Sequence, residues 1–402
     1  MIASGAVTRP LRVATIITRL EGGAGVLALR GAQALDPDRF QVTIIAGSSS
    51  RLLPEARAAG LAVIVEPSLQ HPIGPGNDLL ALRRLRSLAV PGRFDVVHTH
   101  TAKAGALGRL AARRAGVPRI VHTYHGFPFH EFQSAGRRGA YVAIERRLGR
   151  ITDVALCVGT GVAVEAVRRG LIAPERIRTI GVAVDGPAGP GAGLPARDPV
   201  ARERARRALG LPPDATVVGA VGRLTYQKAP EDFLAALARL GRPEVTGVWV
   251  GDGELARRIR RLTAARPSPR VVLAGERADV TALLPAFDVF ALSSRYEGLP
   301  TVVVEAMMCG LPVVATAVNA VADVVVPGVT GLLVPPQRPD QLAGAIGYLL
   351  DSPAAAARMA ATARARLGDR FGVPALAEAL AAAYLGGPAV TVPQPALTPP
   401  GT

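Results

Sequence analysis

Short runs of β-branched and other apolar residues alternate along the chain with longer segments in which apolar positions recur at helical spacing. The short runs predict strands buried on both faces of a parallel sheet, and the longer segments predict the helices that cover them. This alternation is typical of doubly wound α/β domains. The predicted strands read LRVATIIT, FQVTIIAG, LAVIVEP, FDVVHTH, RIVHTYH and VALCVG in the first half, and ATVVGAVGRL, GVWVGDG, RVVLAG, DVFALSS and LPVVATA in the second.

The alternation stops once, in the Gly- and Pro-rich residues 186–199, and then starts again. We therefore predict two Rossmann-like domains, an N-terminal one over 1–185 and a C-terminal one over 200–369, joined by a linker. Two such domains are expected to face a central cleft at the carboxyl ends of their strands, where open sheets bind ligands.

The last part of the chain differs in composition. Residues 339–385 are rich in alanine and predict helices, the last of which, at about 370–385, is expected to pack back on the N-terminal domain. Residues 386–402, which read GGPAVTVPQPALTPPGT, are predicted to form a disordered tail.

The 402 residues carry a net charge of +16, which the two halves share unequally. Residues 1–185 hold 25 basic and 13 acidic side chains, a net of +12, whereas the rest holds 22 and 18, a net of +4. The field of the first half could attract phosphates, nucleic acid or an anionic membrane. Nucleic acid is the weakest of these interpretations, because no recognisable binding motif or cluster of stacking aromatics accompanies the arginines.

Several features predict a cytoplasmic protein. No apolar stretch is long enough for a membrane span, and residues 1–18 lack the apolar core and cleavage site of a signal peptide. Cys157 and Cys309 lie far apart in apolar surroundings, as expected of reduced core thiols.

Glycines stand where the first predicted strand turns into a helix, in RLEGGAGVLALR. The backbone of Gly22 and Gly23 could there approach an anion at the helix N-terminus. The spacing is not that of the dinucleotide fingerprint, so a tight turn without a ligand explains these glycines equally well.

Two cations flank the loop GRLTYQK, which follows the first strand of the second domain. Arg223 and Lys228 could both reach one phosphate group near the start of the next helix. Lys228 stands out because Lys103 is the only other lysine in the chain, which suggests that this site requires a compact ammonium. Two surface cations near a helix start are an equal alternative.

Five of the six histidines fall between positions 98 and 130. A metal site is one interpretation, but no carboxylate or cysteine stands at the spacing of a familiar zinc pattern. We expect instead that His98 and His122 pack at strand ends, and that His125, at the tip of HTYHGFP, faces the cleft.

Two carboxylates eight positions apart follow a late strand, in SSRYEGLPTVVVEAMMCGLPVVAT. Glu297 lies in the turn between that strand and a helix, and Glu305 lies about one turn into the helix. Backbone N–H groups at the helix start would cradle a phosphate, with Glu305 close enough to bind a hydroxyl beside it. A partly solvated helix position would explain Glu305 alone, but Arg223 and Lys228 at the same sheet edge favour a ligand.

The spacing of Glu297 and Glu305, an acid, seven residues and an acid, resembles the signature of family 4 retaining glycosyltransferases, which have the GT-B fold. The motifs GGAG, FDVVHTHTAKAG, HTYHGFPF, GRLTYQK, VGDGE, EGLPTVVVEAMMCGLPVVAT and PGVTGLLVPP occur in the order that this family shows. The likeness covers about residues 11–370 and is most specific over 217–336. The long linker and the Pro-rich tail depart from it.

This resemblance implies a retaining enzyme that moves a sugar from a nucleotide-diphosphate donor, most often a UDP-sugar, to a glycan, glycolipid or natural-product acceptor. It implies that Arg223 and Lys228 neutralise the leaving diphosphate, that Glu297 holds hydroxyls of the transferred sugar, and that His125 contacts that sugar. It implies no cofactor and no metal, because the two cations take the metal's role. The donor-binding residues that it implies are Gly22, Gly23, Gly251, Gly298, Leu299, Pro300, Thr301 and Glu305.

Three other functions compete with this one. A nucleotide-sugar epimerase of the same architecture would act on the free donor without an acceptor. A glycoside hydrolase would use the two glutamates as acid and base, and it would leave the cations unexplained. A two-lobed solute-binding protein would have to be exported.

One segment of the first domain could meet a membrane. Residues 136–151, GRRGAYVAIERRLGRI, predict an amphipathic helix whose apolar side could equally face the core. If its basic side meets anionic lipid, the enzyme is peripheral at the inner face of the plasma membrane and glycosylates a lipid-linked acceptor. The apolar side holds Tyr141, Ile144, Leu148 and Ile151, and the basic side holds Arg138, Arg146, Arg147 and Arg150.

Overall fold

The computed structural model describes residues 9–48, 50–70, 73–184, 197–265, 269–367 and 371–386. The chain divides into two compact units, of which unit 1 comprises Met1–Ala183 with Gly372–Thr402 and unit 2 comprises Val184–Phe371. Most of the predicted linker and nearly all of the predicted tail lie outside the described residues.

Unit 1 is built on a seven-stranded parallel sheet with the strand order β3-β2-β1-β4-β5-β6-β7. In its centre Val13 of β1 lies beside Val42 of β2 on one side and Val96 of β4 on the other. The strands are β1 (Leu11–Ile17), β2 (Phe40–Ala46), β3 (Ala62–Val65), β4 (Val96–His100), β5 (Arg119–Tyr124), β6 (Val154–Cys157) and β7 (Ile177–Thr179). The helices that precede the second unit are α1 (Gly22–Ala34), α2 (Leu53–Ala58), α3 (Pro75–Leu88), α4 (Ala102–Arg114), α5 (Ala135–Gly149) and α6 (Thr160–Arg168), with a 3₁₀ turn at Pro174–Arg176.

Unit 2 is built on a six-stranded parallel sheet with the strand order β10-β9-β8-β11-β12-β13. The strands are β8 (Thr216–Val221), β9 (Val245–Val250), β10 (Val271–Gly275), β11 (Val289–Leu292), β12 (Val313–Thr316) and β13 (Leu332–Val334). The helices are α7 (Pro199–Ala208), α8 (Pro230–Leu240), α9 (Ala256–Ala264), α10 (Val280–Leu283), α11 (Thr301–Met308), α12 (Pro339–Asp351) and α13 (Pro353–Leu367), with 3₁₀ turns at Leu284–Ala286 and Asn319–Asp323.

The predicted fold class, a pair of doubly wound α/β domains, is confirmed. All eleven predicted strands are present, whereas β7 and β13, of three residues each, were not predicted. Both strands are short and lie at the edge of a sheet, so their sequences carry little of the alternating apolar signal. In each sheet the strand order reverses beside the first strand, between β1 and β4 in unit 1 and between β8 and β11 in unit 2. Ligands of open α/β sheets bind at the carboxyl ends of the strands at such a switch point.

The C-terminal helix α14 (Val373–Leu385) packs on α1 and contacts β5 of unit 1. Its residue Tyr384 is 1% exposed, and its phenol oxygen lies 2.7 Å from Nδ1 of His98. Nε of Arg119 donates to the carbonyl of Ala383 at 2.5 Å. The sheet of unit 1 therefore receives a helix from the far end of the chain.

Helix α5 buries part of its predicted apolar side and, beside it, one glutamate. Ile144, predicted to lie on the apolar side, is 46% exposed, whereas Glu145 is 3% exposed. The cause is an ion pair in which Arg109 of α4, which is fully buried, donates to Oε2 of Glu145 at 2.8 Å. Tyr124 adds a hydrogen bond to the same oxygen at 3.1 Å. A buried charge needs its partner, so the helix presents Glu145 inward. Of the predicted apolar side, Leu148 is buried and Tyr141 packs against the core, and only the placement of Ile144 is wrong.

Both cysteines are buried and unpaired with each other. Burial raises the pKa of Cys157 to about 12 and that of Cys309 to about 11, which keeps both as unreactive thiols. In the part of the chain that the structure describes, no helix combines the length and the apolar character needed to cross a bilayer.

Candidate active site

Two loops of unit 2 leave the sheet at the switch point between β8 and β11. The first joins β8 to α8 and contains Arg223 and Lys228, and the second joins β11 to α11 and contains Glu297. These are the loops in which the sequence places cations and a carboxylate. The parallel sheet brings them together because its neighbouring strands end at the same edge.

Close packing of backbone explains the glycines of this edge. Gly251, directly after β9, has φ 130° and would place a Cβ 2.2 Å from the carbonyl oxygen of Gly222. The indole of Trp249 donates to that same carbonyl at 2.8 Å. Gly251 is a predicted donor contact, and the structure shows that any other residue there would push the β8 loop away.

An ion pair joins the two loops. Nζ of Lys228 lies 2.6 Å from Oε1 of Glu297, with the lysine side chain 17% exposed and the glutamate side chain 6% exposed. The hydroxyl of Ser294 donates to the same carboxylate oxygen at 2.6 Å. The sequence suggested separate roles for Lys228 and Glu297, and the structure adds that each fixes the position of the other.

Gln227 also links the two loops that the ion pair joins. Its side-chain amide donates to Oε2 of Glu297 and to the carbonyl of Tyr296, both at 3.1 Å. Asn319, in a left-handed conformation with φ 41°, donates its side-chain amide to the carbonyl of Glu297. Both oxygens of the Glu297 carboxylate therefore have protein donors, and its backbone is held as well.

Arg223 is in a different situation. Its side chain is exposed, and among the described residues its guanidinium makes no hydrogen bond or ion pair. Arg223 follows Gly222 at the end of β8, so it stands at the switch point with its five donors available. Such a group can bind an anion.

The start of α11 offers a second set of donors. Pro300 is the N-cap residue, and no side chain caps the helix, so the first backbone N–H groups have no side-chain acceptor. Thr301 and Glu305 are partly exposed and four residues apart, which places them on one face of the helix. Gly298, Leu299 and Pro300 are buried, so they present backbone rather than side chains.

Unit 1 places the predicted glycines at the start of α1. Gly22 and Gly23 are exposed, and Gly22 has φ 61°, which favours glycine. Gly25 has another role, because a Cβ there would lie 2.7 Å from the backbone of Leu20. No side chain caps α1 either, so its first N–H groups are open to an acceptor.

His125 lies directly after β5 and is partly buried. Its Nε2 lies 2.9 Å from Nδ1 of His100, and the other nitrogen of His100, Nε2, is buried without a partner in the described part of the chain. Burial lowers the pKa of His125 to about 4, and it holds the pKa of His100 well below its usual value. Both rings are therefore neutral, and one of them must donate to the other.

His98 and His122 are buried in β4 and β5, at 1% and 2% exposure. His98 lies between the hydroxyls of Tyr384 and Thr123, each at 2.7 Å, and its pKa is lowered to about 3, chiefly by burial. Nδ1 of His122 lies 2.9 Å from the hydroxyl of Thr99. The described residues contain no cluster of three or more histidine, cysteine or acidic groups that could hold a metal ion.

Several residues that shape these two sites carry no signal in the sequence. Gln227 directly precedes Lys228, and Ser294 lies three positions before Glu297. His100 follows His98 by two positions. Their importance depends on which residue of a loop turns towards its neighbour, and periodicity does not carry that information. The sequence did identify the two residues of the ion pair itself, Lys228 and Glu297.

The fold and the carboxyl-edge cations define a class, the GT-B glycosyltransferases. Comparison with known structures agrees: the crystal structure of Anabaena HepE in complex with UDP and glucose superposes with a TM-score of 0.78 at 22% identity, covering 92% of this chain and 98% of that one. Two family models match the sequence, "Glycosyltransferase Family 4" over residues 21–185 and "Glycosyl transferases group 1" over 201–366.

Relatives narrow the class to a family. The chain is 31% identical over 308 residues to the UDP-Gal:alpha-D-GlcNAc-diphosphoundecaprenol alpha-1,3-galactosyltransferase of Escherichia coli, which covers 75% of this chain and 77% of the relative. It is 32% identical to the D-inositol 3-phosphate glycosyltransferase of Thermobispora bispora, over 90% of this chain and 89% of the relative. The chain belongs to glycosyltransferase family 4, and it is a glycosyltransferase.

Proposed function

We propose that this enzyme transfers a hexose from a UDP-sugar, with retention of the anomeric configuration, to a lipid-linked glycan. The name of the Escherichia coli relative specifies a UDP-sugar donor and an acceptor on diphosphoundecaprenol. Anabaena HepE, which shares the fold, has been crystallised with UDP-glucose as well as with UDP and glucose. These names support the donor and the acceptor class proposed for this chain.

The ion pair between Lys228 and Glu297, which joins two loops at the carboxyl edge of the sheet, is the main structural support for this function. As the sugar separates from the diphosphate, negative charge develops on the leaving phosphate oxygen, and fixed cations lower the barrier to this step. Lys228 is held in place before the donor arrives, since Glu297 and the packed glycine backbone fix it. Arg223, which lacks a partner among the described residues, supplies the second cation. The uncapped start of α11 adds backbone N–H donors.

The two glutamates hold the donor rather than break bonds. Glu305, on the same face of α11 as Thr301, anchors a ribose hydroxyl beside the diphosphate. Glu297 is ion-paired with Lys228, and its carboxylate receives hydroxyls of the transferred sugar at the oxygen that Gln227 approaches. In unit 1, His125 contacts the sugar as a neutral ring, and Gly22 and Gly23 present backbone to the phosphates.

Retention follows without a protein nucleophile. The acceptor hydroxyl attacks the face from which the diphosphate departs, and the leaving phosphate oxygen takes the acceptor's proton. The new glycosidic bond therefore forms on the side of the old one. Neither cysteine can serve as a nucleophile, because both are buried with raised pKa values. With a lipid-linked acceptor, the enzyme works at the membrane surface as a peripheral protein.

Product analysis tests this function. The purified enzyme is incubated with radiolabelled UDP-glucose, UDP-galactose and UDP-N-acetylglucosamine, with and without polyprenyl-diphosphate-linked N-acetylglucosamine, and the organic phase is counted. We expect label in the lipid only with acceptor, UDP released in equal amount, an α-linkage by NMR, and most of the rate preserved in EDTA. An epimerised donor without acceptor, free sugar and UDP in place of labelled lipid, or an inverted linkage would each contradict the proposal.

A further inference from the structure

Helix α3 of unit 1 has two dissimilar sides. Ala81, Leu85 and the following Ala89 are buried in the core that also contains α4. The opposite side is exposed along the whole helix. It is not the polar surface that an amphipathic helix of a globular domain usually presents.

Large apolar side chains lie on this exposed side. Leu79 is 49% exposed and Leu80 is 43% exposed, and the residues just outside the helix, Ile73 and Val90, are 74% and 44% exposed. Single exposed apolar residues are common on protein surfaces, but four within 18 positions on one helix and its ends form a patch.

Arginines without partners accompany them. Leu79, Arg83 and Arg86 follow one stripe at spacings of four and three residues, and Leu80 and Arg84 follow the next stripe. Among the described residues, the guanidinium groups of Arg83, Arg84 and Arg86 make no hydrogen bond or ion pair. The one acidic residue of this helix, Asp78, forms an ion pair with Lys103 of α4, with Oδ1 2.6 Å from Nζ. The exposed side is therefore basic and apolar, with no acid of its own.

Helix α5, which the sequence suggested as the membrane-facing element, meets these conditions less well. Within α5, all of whose residues the structure describes, Ile144 is the one large apolar side chain that is strongly exposed. Nε of Arg146 donates to the carbonyl of Arg169 at 2.7 Å, so that arginine is engaged within the protein. The α3 surface, defined as Ile73, Leu79, Leu80, Arg83, Arg84, Arg86 and Val90, combines charge and exposed apolar area in one place.

We propose that the α3 surface docks on an anionic lipid bilayer. Leucines reach the boundary of the acyl chains while the interleaved arginines meet anionic headgroups, which is the arrangement of interfacial helices. A nucleic acid would use the arginines but would leave the leucines and Val90 in water. The lipid-linked acceptor of the proposed function gives this docking its purpose, but vesicle binding is measured without donor or acceptor, so the two proposals fail separately.

Vesicle sedimentation of the full chain tests the charge of the surface. Vesicles of phosphatidylcholine alone are compared with vesicles containing one third phosphatidylglycerol, at low and high salt. We expect binding to the anionic vesicles that weakens with salt. Arg83→Glu/Arg84→Glu should weaken it by at least ~30-fold, since each arginine near the surface is worth about fivefold and the new negative charges add repulsion. The matched control, Arg146→Glu/Arg147→Glu on α5, reverses the same charge in the same unit and should weaken binding by less than ~5-fold. Equal loss in both variants, or loss in the control alone, would overturn the assignment to α3.

Insertion of the leucine edge is tested by fluorescence. The chain has one tryptophan, Trp249, which is 3% exposed in unit 2 and serves as an internal reference. In Leu80→Trp, emission should shift to shorter wavelength on anionic vesicles and be quenched by brominated lipid, while wild type shows neither change. A Leu80→Trp signal unaffected by brominated lipid, or binding of duplex DNA that competes with vesicles at equal affinity, would refute bilayer docking.

Discussion

Two ion pairs, one in each unit, join a basic side chain to a buried glutamate, and the two pairs have different surroundings. In unit 1, Arg109 and Glu145 are 2.8 Å apart at 0% and 4% side-chain exposure, and Arg109 also donates to the carbonyl of Gly105 and approaches the hydroxyl of Thr152. In unit 2, Lys228 and Glu297 are 2.6 Å apart but lie at the carboxyl edge of the sheet, with the lysine 17% exposed. The first pair makes its further hydrogen bonds inside the protein. The second pair lies beside donors that have no side-chain acceptor among the described residues, the guanidinium of Arg223 and the first N–H groups of α11.

The difference separates a structural pair from a functional one. A fully buried pair whose hydrogen bonds are satisfied contributes to the fold, and removing one partner leaves an uncompensated buried charge. A pair at a switch point, next to Arg223 and an uncapped helix, contributes to ligand binding. When Lys228 is removed, Glu297 keeps the hydrogen bonds from Gln227 and Ser294, so the loss of stability is smaller. The two pairs have similar distances, but breaking the pair in unit 1 should reduce stability, whereas breaking the pair in unit 2 should reduce turnover.

The largest expected effect is on the stability of unit 1. Glu145→Ala should lower the free energy of unfolding by about 3–5 kcal/mol, because it leaves Arg109 buried and unpaired. Urea denaturation followed by circular dichroism measures this loss. The double variant Arg109→Met/Glu145→Leu should recover much of the stability, since apolar residues of similar volume replace both charges. A double variant no more stable than the single one would mean that packing, not the charge, accounts for the loss.

The corresponding change in unit 2 should act on turnover. Lys228→Ala should lower kcat by ~10²-fold or more, the scale of losing one donor to a developing anion, while the thermal unfolding midpoint stays close to that of wild type. Arg242→Ala is the control, because it breaks an exposed pair with Asp351 in the same unit and should leave kcat unchanged. Normal turnover of Lys228→Ala at saturating donor would remove this residue from the catalytic machinery.

A smaller loss is expected for the residue that positions Glu297. Gln227→Leu removes the hydrogen bonds to Oε2 of Glu297 and to the carbonyl of Tyr296, and it should lower kcat by ~10-fold with binding of free UDP unchanged. Gln227→Glu should be worse, because it places a second negative charge beside the carboxylate. If Gln227→Glu is as active as wild type, the amide has no positioning role.

The smallest effect concerns acid sensitivity, which should differ between the units. All six histidines belong to the range of unit 1. The pKa of His98 is about 3 in the folded protein against an ordinary 6.5, so the unfolded chain binds more protons in this interval. The contribution of His98 to stability is complete above pH 6.5 and declines as the pH falls towards 3. Hydrogen exchange at pH 7 and pH 5 should show the loss of protection mainly in β4 and β5, and uniform loss in both units would contradict this.

The sequence was sufficient for the fold because its strands are long apolar runs that parallel sheets bury on both faces. It also identified the residues of the carboxyl edges, since turns with glycine, cations and carboxylates mark where strands end. What it missed were facts of orientation. It placed Ile144 on an apolar side that could face the core, and it left Glu145 unexamined, because an isolated glutamate in a helix gives no sign that Arg109, 36 positions earlier, will meet it. The α3 surface was missed for the same reason, as exposure depends on which neighbours cover a helix.

A titration with UDP, the donor without its sugar, tests the central claim most directly. Calorimetry is carried out on wild type, Glu305→Gln and Glu297→Gln. If unit 2 binds the diphosphate and the ribose through Lys228 and Glu305, wild type binds UDP, and Glu305→Gln weakens binding by ~10-fold or more because a charged hydrogen bond is lost. Glu297→Gln should bind UDP at least as well as wild type, since Lys228 is released from its partner, yet it should bind the UDP-sugar more weakly. No heat with wild type, or loss of UDP binding in Glu297→Gln with normal binding in Glu305→Gln, would contradict the account.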